Sequence, residues 1–263
     1  MLIDAHAHLD RYGVAGEPAL DSALAEIARH RILTISNSMD LPSYRRNVEI
    51  SGQSNLVVPC FGVHPWNAPA YADRLNEISG AVLESPLIGE IGLDHHFVRD
   101  AALFPAQRKV FEFFLQAAGE QKKIVILHTK GAEEKVVELL EQYSVTRAIV
   151  HWYSGSIGVL RKLSARGAYF TVGTEIGYSD HLRMIAREIP TEQLLTETDN
   201  PGGPKAFIGE SGMPALIQQV VDTVAEVRGT TADQIVRTVQ SNLLELFRSD
   251  RRLEAVCRIL RED

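Results

Sequence analysis

Seven side chains of metal-binding type each stand at the end of a short apolar run: His6 and His8 in LIDAHAH, His64 in VVPCFGVHP, Glu90 in PLIGEIGLD, His128 in KIVILHT, His151 in RAIVHWYS and Asp199 in QLLTETDNP. Imidazoles and carboxylates of this mixture bind divalent cations and activate water for hydrolysis. His6 and His8 are two residues apart, so on a strand both leave the same face and reach one ion. Asp4 shares that face and can either hold a histidine ring, as carboxylates do behind metal-bound imidazoles, or stand in solvent. Glu90 would point into a protein interior, where an ionised carboxylate needs a partner. A cation, or a pair of cations bridged by the carboxylate, is the simplest one; an ion pair with Lys123 or another base is the alternative. His128 and His151 follow apolar runs in neighbouring segments and could share an ion. Asp199 closes the last run with Glu197 one pleat deeper, where a carboxylate touches both an ion and its water. His64, fixed by Pro65 behind it, suits contact with a substrate or leaving group better than ligation.

Donors this distant in sequence meet only if the fold gathers the ends of their runs. Strand-like runs at 2–8, 32–38, 56–63, 86–92, 123–128, 147–152, 168–174 and 193–199 alternate with segments carrying apolar residues at helical spacing. Those segments include SYRRNVEISGQS, ADRLNEISGAVLES and PAQRKVFEFFLQAAGEQK, with Pro105 opening the last and Gly167 closing the helix before the seventh strand. Eight βα units predict an α/β protein of the (β/α)8 TIM-barrel type, whose active site lies at the C-terminal ends of the strands. A doubly wound sheet would put a glycine-rich phosphate loop after the first strand; HAHLD stands there instead. The expected organisation is one domain, residues 1–263, with a Gly/Pro-rich loop PGGPKAFIGESGMP over the mouth and a helical C-terminal extension.

At 263 residues the chain carries a formal net charge of −7, which argues against tight duplex binding, because long duplexes are held by basic surfaces. Bound cations would still let it act on a nucleic-acid end or another phosphate ester. No run spans a bilayer and no basic leader is visible, so a cytoplasmic location is expected. Cys60 and Cys257, the two cysteines, read as packing residues in a reducing compartment. Lys130, Arg99 and Lys205 fall on loops where each could hold a phosphate oxygen, and Trp66, Trp152 and Tyr153 flank the same mouth, where they could stack a base or pack the core. Of the remaining histidines, His30 and His181 lie in helical segments and face solvent, and one of His95 and His96 is expected to do so.

DAHAHLD, GVHP, IGEIGLD, the Gln107 and Phe111 of QRKVF, LHTK, HWYSGS, ETDNP and the Asn242–Phe247 segment stand in the order and spacing of one family. Over almost its whole length the chain resembles the TatD-related metal-dependent deoxyribonucleases of the amidohydrolase-like barrels. The resemblance implies two divalent ions, of zinc, manganese, iron or magnesium. His6, His8, Glu90 and Asp199 would hold one, and Glu90, His128 and His151 the other. It implies Asp199 and Glu90 as the catalytic carboxylates, His64 and Lys130 as substrate contacts, and 3′-to-5′ trimming of single-stranded DNA. Lys130 stands where the family has arginine, His95 and His96 where it has aromatic residues, and Gly212-Met213-Pro214 near the place of an Asn-Glu-Pro segment. These departures surround the substrate, so an esterase or deacylase on the same centre, for example toward D-aminoacyl-tRNA, an amidohydrolase, and a non-catalytic partner subunit remain alternatives.

Overall fold

All strand pairs are parallel. A computed structural model describes residues 1–262, with strands β1 (Leu2–Ala7), β2 (Ile32–Asn37), β3 (Val57–Cys60), β4 (Ile88–Gly92), β5 (Val125–His128), β6 (Ala148–Val150), β7 (Tyr169–Val172) and β8 (Leu194–Thr196). Their ladders run in chain order as β1-β2-β3 and β4-β5-β6-β7-β8. Two seams join these groups into a ring. Gly89 N–H donates to the Phe61 carbonyl at 2.8 Å between β3 and β4. Between the end of β8 and β1, Asp199 N–H donates to the His6 carbonyl at 2.9 Å and His8 N–H to the Asn200 carbonyl at 2.8 Å. The architecture is therefore the TIM-barrel-like α/β arrangement expected from the alternation.

All six residues of β1 and of β2 are buried, as strands covered on both faces require, the polar Asp4, His6, Thr34, Ser36 and Asn37 among them. Helices are set by one buried stripe and by their caps. In Phe104–Gln121, Pro105 occupies the first turn, and Gln107, Val110, Phe111, Phe114, Leu115 and Ala118 face the core. Asp40, Ser156 and Ser179 accept from the first-turn amides of Leu41–Ser51, Ile157–Ala165 and Asp180–Glu188, each worth about 1 kcal/mol. Beyond β8 come the short helix Lys205–Ile208 and the helices Leu216–Arg228, Ala232–Phe247 and Glu254–Glu262. Among the described residues no helix is long and apolar enough to cross a membrane.

Two expectations need correction. The helix read across ADRLNEISGAVLES is broken into a 3-10 turn at Leu75–Glu77 and a helix at Ser79–Glu84. Ser79 Oγ donates back to the Leu75 carbonyl at 3.2 Å and competes with the backbone there, and Gly80 follows. The strands are also shorter than their apolar runs, and past β6 and β8 the chain turns out of the ladder as it delivers a ligand-type side chain. Trp152 and Asp199 have φ of 41° and 55°, and the Trp152 amide bonds to Thr171 Oγ1 instead of a strand.

Gly92, at the end of β4, has φ of 149°, and a Cβ there would lie 1.9 Å from the His128 carbonyl oxygen. Only glycine lets β4 and β5 approach this closely.

Candidate metal centre

The C-terminal ends of five strands bring the predicted donors together around Glu90. Its Oε1 lies 2.8 Å from His128 Nδ1, 3.3 Å from His64 Nε2 and 3.4 Å from His151 Nε2. Its Oε2 lies 3.4 Å from His6 Nε2 and 3.5 Å from His8 Nε2. Asp199 Oδ1 is 3.3 Å from His8 Nε2 and 3.5 Å from His6 Nε2, and those two nitrogens are 3.3 Å apart. Lys123 plays no part, because its ammonium donates to the Val82 and Leu83 carbonyls instead. Lys123 is thereby removed as a partner for Glu90, whose basic neighbours are the imidazoles.

His64 enters this cluster as fully as the others, with Nε2 3.3 Å from His128 Nδ1. Its position is compatible with ligation as well as with the substrate contact expected from GVHP. The donor atoms that lie mutually close form the groups His6, His8 and Glu90; His64, Glu90 and His128; and, one layer deeper, His6, His151 and Glu197.

Electrostatics follow from this crowding. Burial alone would raise Glu90, but the imidazoles of His64, His151 and His6 hold its carboxyl well below the usual range. Burial would likewise depress His8, yet the Asp199 and Glu90 carboxylates raise it well above an ordinary imidazole. His151 is driven well down by burial and by His6, whose ring stacks on it at 3.7 Å. Electron-pair donors at about 3 to 4 Å spacing around a buried carboxylate are a chemical match for divalent cations.

Carboxylates behind the cluster orient the rings. Asp94 Oδ2 lies 3.1 Å from His128 Nε2, and Glu197 Oε2 lies 3.0 Å from His151 Nδ1. Burial pushes Glu197 up to about 8, with Asp199 beside it adding to the shift. The His8 ring is set by the Asn37 carbonyl, 3.0 Å from Nδ1. Asp4, considered above as a partner for a histidine ring, instead accepts from Thr198 N at 2.9 Å and Thr198 Oγ1 at 2.6 Å, and so fastens β8 to β1.

The cluster forms the floor of an open cleft of about 680 Å³. Lys130 lines it, with Nζ donating to the Trp152 carbonyl and to Ser154 Oγ, both at 2.7 Å. Burial lowers its pKa. Lys205 also lines the cleft, whereas Arg99 is exposed and stands outside its walls. Trp66 and Trp152 are in the cleft walls; Tyr153 is not, being buried with its hydroxyl donating to the Ser156 carbonyl at 2.7 Å. His96 is exposed, while His95 is partly buried and stacks on Phe104 at 3.8 Å; His30 and His181 are exposed. Arg11, Phe97, Glu175 and Phe207 complete the walls and were not singled out by sequence. Loop residues outside the strand periodicity carried no signal for them.

Comparison with known proteins places this geometry. A model of the family described as "TatD related DNase" matches residues 3–248. The chain is 29% identical to the Bacillus subtilis metal-dependent hydrolase YabD, over 94% of this chain and 99% of that protein. It is 27% identical to the metal-dependent hydrolase YcfH of Escherichia coli, over 95% and 96% of the two chains. The crystal structure of YjjV, a TatD homologue from Escherichia coli, superposes with a TM-score of 0.85 at 25% identity, covering 94% of this chain and 98% of that one. A TatD-family hydrolase from Entamoeba histolytica shares the fold with a TM-score of 0.78 at 18% identity, over 93% and 97% of the chains. With the family match spanning every strand and every donor around Glu90, the chain belongs to the TatD-related family of metal-dependent hydrolases.

Proposed function

We propose that the protein is a phosphodiesterase that removes nucleotides from the 3′ end of single-stranded DNA. The observation that carries this reading is the placement of the Glu90 cluster on the floor of an open cleft whose walls combine cations with aromatic rings. His6, His8, Glu90 and Asp199 would hold one divalent ion, and Glu90, His128 and His151 a second, with His64 close enough to Glu90 and His128 to serve in the second. Such ions supply Lewis acidity toward a phosphate and make water a stronger acid.

The chain's own groups do the rest. Asp199 stands at the rim of the cluster with its side chain 18% exposed, and against the effect of burial the rings of His8, His151 and His6 hold its carboxyl below the usual range. It accepts the proton of the attacking water. Lys130 has three N–H donors, two of them committed to Trp152 and Ser154, and the third is available to a phosphate oxygen. His64, just beyond the C-terminal end of β3, orients the phosphate. Asp94 and Glu197 hold the His128 and His151 rings in position.

The reading is tested with purified protein loaded in turn with zinc, manganese or magnesium and assayed on 3′-labelled single-stranded DNA, D-aminoacyl-tRNA and small esters. Stepwise release of mononucleotides from the 3′ end is expected. Hydrolysis confined to the aminoacyl or small esters would replace the phosphodiesterase with a deacylase, and turnover of none by the loaded protein would leave a non-catalytic subunit.

A further inference from the structure

The protein has two tryptophans, and both line the cleft. Trp66 follows β3 and Trp152 follows β6, three strand positions apart around the ring. Each meets an imidazole of the cluster edge-on, Trp66 against His64 at 4.7 Å and Trp152 against His151 at 6.2 Å. Each indole is also pinned by a carboxylate: Trp66 Nε1 donates to Asp94 Oδ2 at 2.7 Å, and Trp152 Nε1 donates to Glu175 Oε2 at 2.6 Å. A ring fixed in this way loses little freedom when a flat ligand settles on it.

Each tryptophan is extended outward by further aromatic residues. Phe97 lies 6.2 Å from Trp66, edge to face. Phe207 lies 6.0 Å from Trp152, and Tyr178 stacks on Phe207 at 5.6 Å with the rings 21° apart. Trp66, Phe97 and Tyr178 are 50%, 58% and 56% exposed. Aromatic surface left open in two groups beside a site is surface kept for a partner. Lys130 Nζ sits over the Trp152 ring, 5.5 Å from its centre, so a cation for the phosphate stands directly against the aromatic group that would take a base.

We propose that the two groups are separate nucleobase platforms, Trp66 with Phe97 on one side of the cluster and Trp152 with Phe207 and Tyr178 on the other. The substrate is then an unpaired strand that crosses the cluster with its bases splayed apart, one on each platform and the scissile phosphate between them. The proposal rests on the phosphodiesterase reading. Paired bases are stacked on both faces and cannot spread in this way, so a duplex enters only where its end has frayed. Stacking accepts any base, so the platforms select for strandedness without selecting sequence.

The two tryptophans also supply the readout, since no other indole contributes fluorescence. In Trp66→Phe only Trp152 reports, and in Trp152→Phe only Trp66. A phosphorothioate-linked dithymidylate, which resists cleavage, is expected to quench the remaining tryptophan in both variants, and an abasic dimer of the same charge to quench neither. On cleavable substrates, Phe97→Ala and Phe207→Ala should each lower the ratio of kcat/KM on oligothymidylate to kcat/KM on an abasic strand of equal length by about ten-fold. Equal quenching by the abasic dimer, or unchanged ratios in both variants, would overturn the platforms. If no DNA is cleaved, the phosphodiesterase reading fails, and the fluorescence comparison still decides whether bases are bound.

Discussion

Asp94 Oδ2 lies 3.1 Å from His128 Nε2 and at the same time accepts the indole hydrogen of Trp66 at 2.7 Å, so one carboxylate oxygen sets both a cluster imidazole and a cleft wall. Its other oxygen accepts from the amides of His96 and Phe97 at 3.0 and 2.7 Å. The Gln107 side chain bonds the Asp94 backbone in both directions, through Oε1 at 3.0 Å and Nε2 at 3.2 Å. Burial would raise the Asp94 pKa, but these donors, His128 first, hold it well below the ordinary range.

Asp94→Asn should therefore lower metal affinity by about 10- to 100-fold, the usual effect of removing a carboxylate behind a metal-bound imidazole. Metal titration with a competing chelator measures this, and Asp94→Glu should recover part of the loss. Affinity unchanged in Asp94→Asn would reduce the residue to a loop anchor.

Asp199→Asn should lower kcat by roughly 10²- to 10⁴-fold with little change in KM, because the residue is assigned to proton acceptance rather than to holding substrate. Metal content has to be measured alongside, since Asp199 also faces His6 and His8. Parental kcat at full metal occupancy would contradict the assignment.

Lys123 gives a prediction in the alkaline range. Burial, with Arg252 nearby, lowers its pKa from 10.5 to about 8. Between those values the unfolded chain binds a proton that the folded chain has released, so the stability contribution of Lys123 rises with pH through this window and falls as pH drops through 8. Urea unfolding of the parent and of Lys123→Met from pH 7.5 to 10.5 should show the parent gaining on the variant as pH rises. A difference independent of pH would count against it.

Gly92→Ala should destabilise the fold by about 3 kcal/mol or more, because the added methyl meets the His128 carbonyl and the backbone stands at positive φ. For a chain of this length that corresponds to a fall in Tm of roughly 6–12 °C. Calorimetry of the variant loaded with metal would measure it.

Much of this arrangement was legible in the sequence because apolar runs and their closing residues carry strong periodic signals. His6 and His8, two apart at the end of a buried strand, and Glu90, His128, His151 and Asp199 at the ends of theirs, needed only the barrel to meet. The partners of the other buried carboxylates were harder to read. Glu197 stood one pleat below Asp199 with no sign that it faced His151, and Asp4 gave no hint that it would bond Thr198 across the seam rather than a ring. Tyr153 could not be told from a cleft residue by its neighbours, because the φ of 41° at Trp152 turns one side chain to the cleft and the next into the core. Phe207 lies in the short helix Lys205–Ile208 inside the Gly/Pro-rich segment expected to be a loop, where nothing periodic announces which side chain will face the cleft.

The seam between β1 and β8 bears on how the protein is made. Asp4 and Thr198 are 194 residues apart, and the ribosome delivers the first long before the second. The nascent chain carries His6 and His8 on an apolar segment with one sheet edge uncovered until the eighth strand emerges. Asp199 joins the donors from the earlier strands only then, so a chain stalled before residue 199 has neither the closed ring nor the full donor set.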